Sequence, residues 1–444
     1  MSEPGMALSI LRCIECGQTY NTSEQVYQCT RCGGLLDVEH DLTTLRKRVS
    51  RALFDSRLGA LDQPYNSGVW RYKELVFPDI LDDQIVTRGE GNTTLYPAPR
   101  KLAAWVGAQA LQIKHEGENP TGSFKDRGMT GGVTHALLVG ATSVACASTG
   151  NTSASMASYA ALAGLKGLVF FPFGNIALGK LSQSVAYGAT NVQVRGDFDA
   201  CLKIVRESCI EFGIYLLNSV NPFRLEGQKT IIFEILQQRR WQVPDWLVLP
   251  GGNLGNTSAI GKGLHELFEL GLIDRLPRIA VIQAEGASPF FRSYQDGFAQ
   301  RYTMKAETYA TAIKIGNPAS YPKAIRTLQW TNGIVESVTD QEILDAKAQV
   351  DRSGIGCEPA SAASIAGLRK LIQNGVIKPH EQVVSLLTGH VLKDSDLIIR
   401  YHEGTIPNIT ATFQNKLLLI DPTLEAVRAL VDDVQKENEE LSVS

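Results

Sequence analysis

The sequence predicts an α/β fold, and two observations carry that prediction. From Ile85 onward, short runs rich in β-branched and aromatic residues alternate with longer amphipathic or alanine-rich stretches, the pattern of strands alternating with helices. Most of these runs end in Gly, Asn, Ser or Thr, the residues that turn a strand into a following helix. At 444 residues and 44% apolar composition, the chain can bury a large core yet exceeds one compact domain, so two or three domains are expected.

Taken in chain order, residues 1–38 read as a cysteine-rich ribbon. Cys13, Cys16, Cys29 and Cys32 form two C-x2-C knuckles twelve residues apart, each followed by a glycine, Gly17 and Gly33. Two thiolates per knuckle can reach one tetrahedral zinc ion while glycine permits the tight turn, and four thiolates leave no coordination position for substrate. The expected role is therefore structural; a metal-free thiol loop, or a ribbon that staples the terminus without touching chemistry, is the alternative. Cys146, Cys201, Cys209 and Cys357 lie in apolar or helical surroundings and read as buried small hydrophobes in a reducing compartment.

Residues 39–84 mix charged helical fragments, LTTLRKRVSRALFD, with a polar stretch punctuated by Pro64 and Pro78, and are expected to wrap on the main body. Strands are expected at LQIKHEG from Leu111, SVACAST from Ser143, GLVFFPF from Gly167, NVQVRG from Asn191, IYLLNS from Ile214, WLVLP from Trp246, RIAVIQAEG from Arg278 and VVSLL from Val383. Residues 405–444 read as a peripheral tail with a strand-like NITATF and a charged helix ending VQKENEEL.

Composition excludes several functions. Lysine plus arginine total 43 against 46 acidic residues, so there is no domain-wide positive field for nucleic acid or an anionic membrane. No apolar stretch approaches the ~20 residues that span a bilayer; Ala160 to Phe173 is interrupted by Lys166 and glycines. The opening MSEPGMALSI lacks the features of a secretory signal, so a cytoplasmic location is expected.

In open α/β sheets, ligands lie beyond the carboxyl ends of strands, where helix N-termini favour anions. One such loop, ENPTGSFKDRGMT, places Lys125 beside aromatic Phe124 among small residues that let a planar ligand approach; desolvation there would allow a Schiff base, and a solvated lysine at a helix start is the alternative. A second, PGGNLGNTSAIGKG, follows an apolar strand, and Gly252, Asn253, Leu254, Gly255 and Asn256 can cradle a phosphate. It lacks the GK[ST] of a nucleotide-hydrolysing loop, and an ordinary βα turn is the alternative. ASTGNTSAS offers Asn151 and Thr152, and LLTGHVLKD offers Thr388; both could be plain helix caps. LLNSVNPFRLEGQKT gathers Asn218, Ser219 and Arg224, a clamp for a phosphate or carboxylate unless Arg224 only pairs with Glu226 or another acid. His115 and His390 are read as structural hydrogen-bonders.

GEGNTTL, KHEGENPTGSFKDRGM, ASTGNTSAS, NSVNPFRLEGQKT, PGGNLGN and LLTGHVLKD occur from about Gly89 to Asp394 in the order in which they occur in the threonine synthases, and the chain resembles that family of fold-type II pyridoxal phosphate enzymes. NPTGSFKDRGM and NSVNPFRLEGQKT are specific; GGNLGN alone is weak. The resemblance implies two open twisted-sheet α/β domains, a large cofactor-binding one over 85–128 and 218–404 and a small mobile one over 129–217. It implies that Lys125 carries the cofactor as a Schiff base, with Phe124 beside it. Asn151 would bond the cofactor's 3-oxygen, the Gly252–Asn256 loop its phosphate, and Thr388 would face its ring nitrogen. Thr152, Asn218, Ser219 and Arg224 would grip the phosphate of O-phosphohomoserine, which is converted with water to threonine and phosphate. It further implies a homodimer. Thr94 stands where the family usually has proline and Val391 where it usually has glycine. Alternatives are β-replacement on O-phosphoserine, a serine or threonine dehydratase, which has no phosphate to explain the clamp, and a non-catalytic binding protein, which has no reason to keep Lys125.

Overall fold

The computed structural model describes residues 8–174 and 178–432. It divides into two units, Met1–Ser395 and Asp396–Ser444. Among the described residues, the first contains thirteen strands: β1 Ser9–Cys13, β2 Thr19–Asn21, β3 Leu36–His40, β4 Leu95–Pro97, β5 Ala110–His115, β6 Ser143–Ala147, β7 Lys166–Pro172, β8 Thr190–Val194, β9 Tyr215–Leu216, β10 Trp246–Pro250, β11 Arg278–Ala284, β12 Ile334–Val338 and β13 Gln382–Leu387. They form three sheets, ordered β2-β1-β3, β12-β11-β10-β13-β5-β4 and β8-β7-β6-β9. The ribbon sheet is antiparallel. The six-stranded sheet is parallel except for β4 against β5, and the four-stranded sheet is parallel throughout.

All eight expected strands form. Those of the large sheet are apolar because both their faces are covered, as parallel sheets require. Trp246, Val248, Ile282 and Val383 pack on one side with residues of the helix Pro359–Gln373. Their neighbours Leu247, Leu249, Val281 and Val384 pack on the other, with residues of the helices Thr230–Gln238 and Gly255–Glu269. Sequence reading passes over β12, an edge strand whose apolar run is broken by Glu336 and Ser337, and the three-residue β4 with its Pro97. NITATF is not a strand: Thr412 N–H closes a turn on the Thr410 carbonyl and Phe413 N–H bonds the Tyr401 hydroxyl. The expected helix at VQKENEEL lies outside the described residues.

Residues 39–84 are more than a wrapping. Phe54, Tyr72 and Leu75 belong to the main core, and buried Arg71 bonds Glu234 at 3.0 Å. Cys146, Cys201, Cys209 and Cys357 are all buried. Among the described residues, no helix is long and apolar enough to cross a membrane.

Two features fix the helix Lys125–Leu138. Arg127, fully buried, forms a bidentate pair with Glu116 at 2.7 Å and a further bond to Glu234 at 2.8 Å, and Lys114 meets Glu234 at 2.5 Å. On its other side lies the helix Pro222–Gln228, so close that a Cβ on Gly227 would fall 1.7 Å from the Arg127 carbonyl oxygen. That contact requires glycine, and it holds Arg224 within reach of Lys125.

Candidate active site

Loops at the carboxyl ends of β5, β6, β9, β10 and β13 converge on one cavity of about 1980 Å³. Every residue proposed from sequence for cofactor or substrate lines it: Phe124, Lys125, Asn151, Thr152, Asn218, Ser219, Arg224, Gly252, Asn253, Leu254, Gly255, Asn256 and Thr388.

Lys125 opens its helix, with Phe124 at the N-cap position, and its ammonium lies 4.0 Å from the centre of the Phe124 ring. Withdrawal from water, then the charge of Arg224, lowers its pKa to about 7, with Glu358 opposing. No carboxylate forms an ion pair with it among the described residues. At neutral pH a large share of Lys125 is the free amine, the form that attacks a carbonyl. The segment is tied to β13's loop by Phe124 N–H on the Thr388 carbonyl at 3.1 Å and His390 N–H on the Gly122 carbonyl at 2.9 Å.

The Gly252–Asn256 loop fits an anion. Leu254 adopts a left-handed φ of 63° at the start of the helix Gly255–Glu269. Asn253 is spent on the fold, its side-chain oxygen accepting from Ala319 N–H at 3.2 Å. Asn256 is not: it is 7% exposed, and both its amide atoms, like the hydroxyl of Thr257, are buried without a protein partner. Buried polar groups in native proteins are nearly all bonded, so orphaned donors at a helix N-terminus are what a bound phosphate would satisfy.

Arg224 is buried, and its Nη1 donates to the Leu217 carbonyl at 3.0 Å while Nε has no partner. Burial lowers its pKa to about 10. It does not pair with Glu226, whose carboxylate is taken by His40, Lys229 and Lys262. Asn218 also braces the fold, since its amide accepts from Ala147 N–H at 3.0 Å and donates to the Ala147 carbonyl at 3.2 Å, prolonging the pairing of β6 and β9. Thr152 sits in the first turn of the helix Asn151–Leu162.

The structure accounts for the two departures from the family pattern. Thr94 uses an N–H that proline lacks, donating to Glu118 at 2.7 Å. Val391 starts a short helix without left-handed backbone, so valine sits there unstrained. His115 and His390 are structural: His115 meets the Gly356 carbonyl at 2.7 Å and His390 accepts from Leu392 N–H at 3.2 Å.

Two features escape sequence reading. Glu358, buried in the cavity wall, accepts from the Asn151 amide at 2.9 Å and from the Thr388 hydroxyl at 3.3 Å. Its signal is a glutamate, ahead of Pro359, where a helix cap is ordinarily a shorter residue. The ribbon also reaches the cavity, through Gly33, Gly34 and Leu35. Its four thiols lie within 4.8 Å of one another, with Cys13–Cys32 and Cys16–Cys29 each at 3.5 Å.

A buried amine of low pKa that shares a cavity with a helix-borne anion cradle defines a class, and the chain's relatives fall in it. Residues 86–389 match the family described as "Pyridoxal-phosphate dependent enzyme". The chain is 48% identical to a threonine synthase of Methanocaldococcus jannaschii over 89% of this chain and 95% of that protein. It is 41% identical to "Threonine synthase 2, chloroplastic" of Arabidopsis thaliana over 95% of this chain and 84% of that one. The crystal structure of threonine synthase from Escherichia coli covers 96% of this chain and 99% of its own at a TM-score of 0.67; at 19% identity it speaks for the fold alone. The chain belongs to the pyridoxal-phosphate dependent enzymes and, within them, to the threonine synthases.

Proposed function

We propose that this enzyme converts O-phospho-L-homoserine and water to L-threonine and phosphate, with Lys125 as both cofactor anchor and base. The single observation that best supports the reading is a buried lysine without a carboxylate partner, its pKa lowered to about 7, sharing one cavity with a buried arginine, Arg224, whose Nε has no partner. Pyridoxal phosphate would be held by Lys125, Asn151, the Gly252–Asn256 loop and Thr388, and when bound it supplies a conjugated system that spreads the electron pair left when a C–H proton is removed.

The protein's own groups do the rest. Arg224, with Ser219, Thr152 and the remaining capacity of Asn218, clamps the substrate phosphate by charge-assisted bonds and orients the γ-carbon. Lys125, its amine free while substrate occupies the cavity, would take the α-proton on Nζ, return that proton to the conjugated system and, a neutral amine again, take a β-proton. Phosphate leaves the γ-carbon and stays against Arg224, where it assists return of a proton to that carbon. Water then adds at the β-carbon. These steps need a dry cavity, and closure of the region 129–217 over the substrate serves that need.

The reading includes a structural zinc ion on Cys13, Cys16, Cys29 and Cys32, supported by Sγ spacings of 3.5 Å, close to the tetrahedral edge of about 3.8 Å expected for Zn–S bonds of about 2.3 Å. It also includes a homodimer in the cytoplasm, whose reducing conditions suit the four buried, unbridged cysteines Cys146, Cys201, Cys209 and Cys357.

The test is phosphate release from O-phosphohomoserine, with the amino acid product identified by mass, run beside O-phosphoserine with sulfite. Threonine from the first substrate, absent with Lys125→Ala, is the expected result. Turnover of O-phosphoserine alone would overturn the substrate assignment.

A further inference from the structure

Glu358 stands at the N-cap of the helix Pro359–Gln373, yet its side chain makes no capping hydrogen bond. Serine, threonine, aspartate or asparagine would serve the helix better. Its carboxyl group instead lines the cavity, 4% exposed, packed so tightly on Gly389 that a Cβ there would lie 2.3 Å from it. No ion pair holds it among the described residues. Its polar contacts are the Asn151 amide and the Thr388 hydroxyl, the two groups proposed above to meet the cofactor's 3-oxygen and ring nitrogen.

Accounting for the hydroxyls fixes their direction. Ser361 Oγ accepts from Thr388 N–H at 2.8 Å and Gly389 N–H at 2.9 Å, which uses both its lone pairs. In its 3.0 Å contact with Thr388 Oγ1, Ser361 is therefore the donor. Thr388 keeps one hydrogen and one lone pair to divide between Glu358 and whatever lies on its open side. If Glu358 is a carboxylate, Thr388 gives it the hydrogen and can only accept on that side. If Glu358 is protonated, its O–H fills the lone pair and the Thr388 hydrogen turns outward as a donor.

We infer that Glu358 and the ring nitrogen of the bound cofactor share one proton through Thr388, making Glu358 the positioning residue that sets the protonation of that nitrogen. The inference rests on the proposed placement of Thr388 at the ring nitrogen. The exchange balances: one proton passes from Glu358 to Thr388 Oγ1 as the Thr388 hydroxyl proton passes to the nitrogen. The hydroxyl ends unchanged, the carboxyl ionised and the ring cationic. Burial raises the Glu358 pKa and Asp394 adds to that, while the Asn151 bond, Lys393 and Lys125 work against it. A protonated ring nitrogen is the stronger electron sink, so the relay matches sink strength to a carbanion forming beside it.

The experiment follows the ring-nitrogen NMR resonance of enzyme reconstituted with nitrogen-15-labelled pyridoxal phosphate, between about pH 6 and 9, a range that brackets the lowered Lys125 pKa of about 7. Wild type is expected at or moving toward the protonated position. In Glu358→Gln the amide oxygen accepts from Asn151 and its nitrogen donates to Thr388. The resonance should then sit at the unprotonated position at every pH, with kcat about 100-fold lower and KM changed less. Asn256→Ala, at the phosphate end, should weaken cofactor affinity about 10-fold and leave the resonance in place. Should Glu358→Gln take up no cofactor, Thr388→Val is expected to show the same shift. A resonance that is the same in wild type and in these relay variants overturns the inference while the proposed function stands. Wild type that acquires no borohydride-reducible cofactor on Lys125 overturns both.

Discussion

Arg127 and Lys125 are two residues apart on one helix, and the protein treats their charges in opposite ways. Arg127 is buried among Glu116 and Glu234; burial works against its charge, but the two carboxylates overcome it and hold the guanidinium firmly ionised. Lys125 faces the cavity with no such partner, and Arg224 is likewise without a carboxylate, so burial pulls both pKa values down, to about 7 and about 10, and the charge of Arg224 adds to the lowering at Lys125. Paired buried charge specifies a fold, whereas unpaired buried charge stores reactivity. The same helix turn thus serves stability on its inner face and chemistry on its outer one.

The sharpest break is Lys125→Ala. Threonine formation should fall by about 10⁴-fold or more, beyond loss of a proton-transfer group alone, and mass analysis after borohydride reduction should find no cofactor on the chain. Thermal stability should barely change, because the lysine has no ion-pair partner to strand. Next is Arg127→Met, which leaves Glu116 and Glu234 with one fewer cation in the interior. A loss of about 3–5 kcal/mol in denaturant unfolding is expected, and an unchanged midpoint would contradict the stabilising assignment of this network.

Arg224→Met sharpens the contrast from the other side. Removing one charge-assisted clamp should raise KM for O-phosphohomoserine by about 10–100-fold, while unfolding free energy stays level or rises because an unpaired buried charge has gone. A marked destabilisation would show that Arg224 belongs with Arg127. The smallest effect is in pH. Since Lys125 reacts as the free amine and its pKa is lowered to about 7, uptake of pyridoxal phosphate by cofactor-free enzyme should climb about tenfold from pH 6 to 8 and level off above that. Stopped-flow absorbance checks this, and a rate still climbing at pH 9 would point to an ordinary lysine.

The central strands of the large sheet were legible because burial on both faces leaves long β-branched runs, as in WLVLP and RIAVIQAEG. The edge strands β4 and β12 were not, since half-exposed edges tolerate Pro97 and Glu336. NITATF shows the converse, a strand-like composition that forms a turn, its Thr412 and Phe413 N–H groups bonding the Thr410 carbonyl and the Tyr401 hydroxyl. The site's main members were legible as loop motifs after strands. Asn218 looked like a substrate ligand from its neighbours in the chain, while the fold bonds its amide to Ala147, 71 residues away.

By itself the sequence determined the fold class, the loops that meet at the cavity, the lysine proposed to anchor the cofactor and the knuckles of the ribbon. Each of these is a local pattern, written within a dozen residues by periodicity, turn chemistry or spacing. Only the tertiary structure decided which charges are paired, that Asn256 and Arg224 keep unsatisfied donors, and that Glu358 joins Asn151 to Thr388 across 207 and 30 positions of chain. The reason is physical: a pKa or an unsatisfied donor is set by what surrounds a group once water has been removed. That surrounding is assembled from segments whose distance along the chain carries no information about their distance in space.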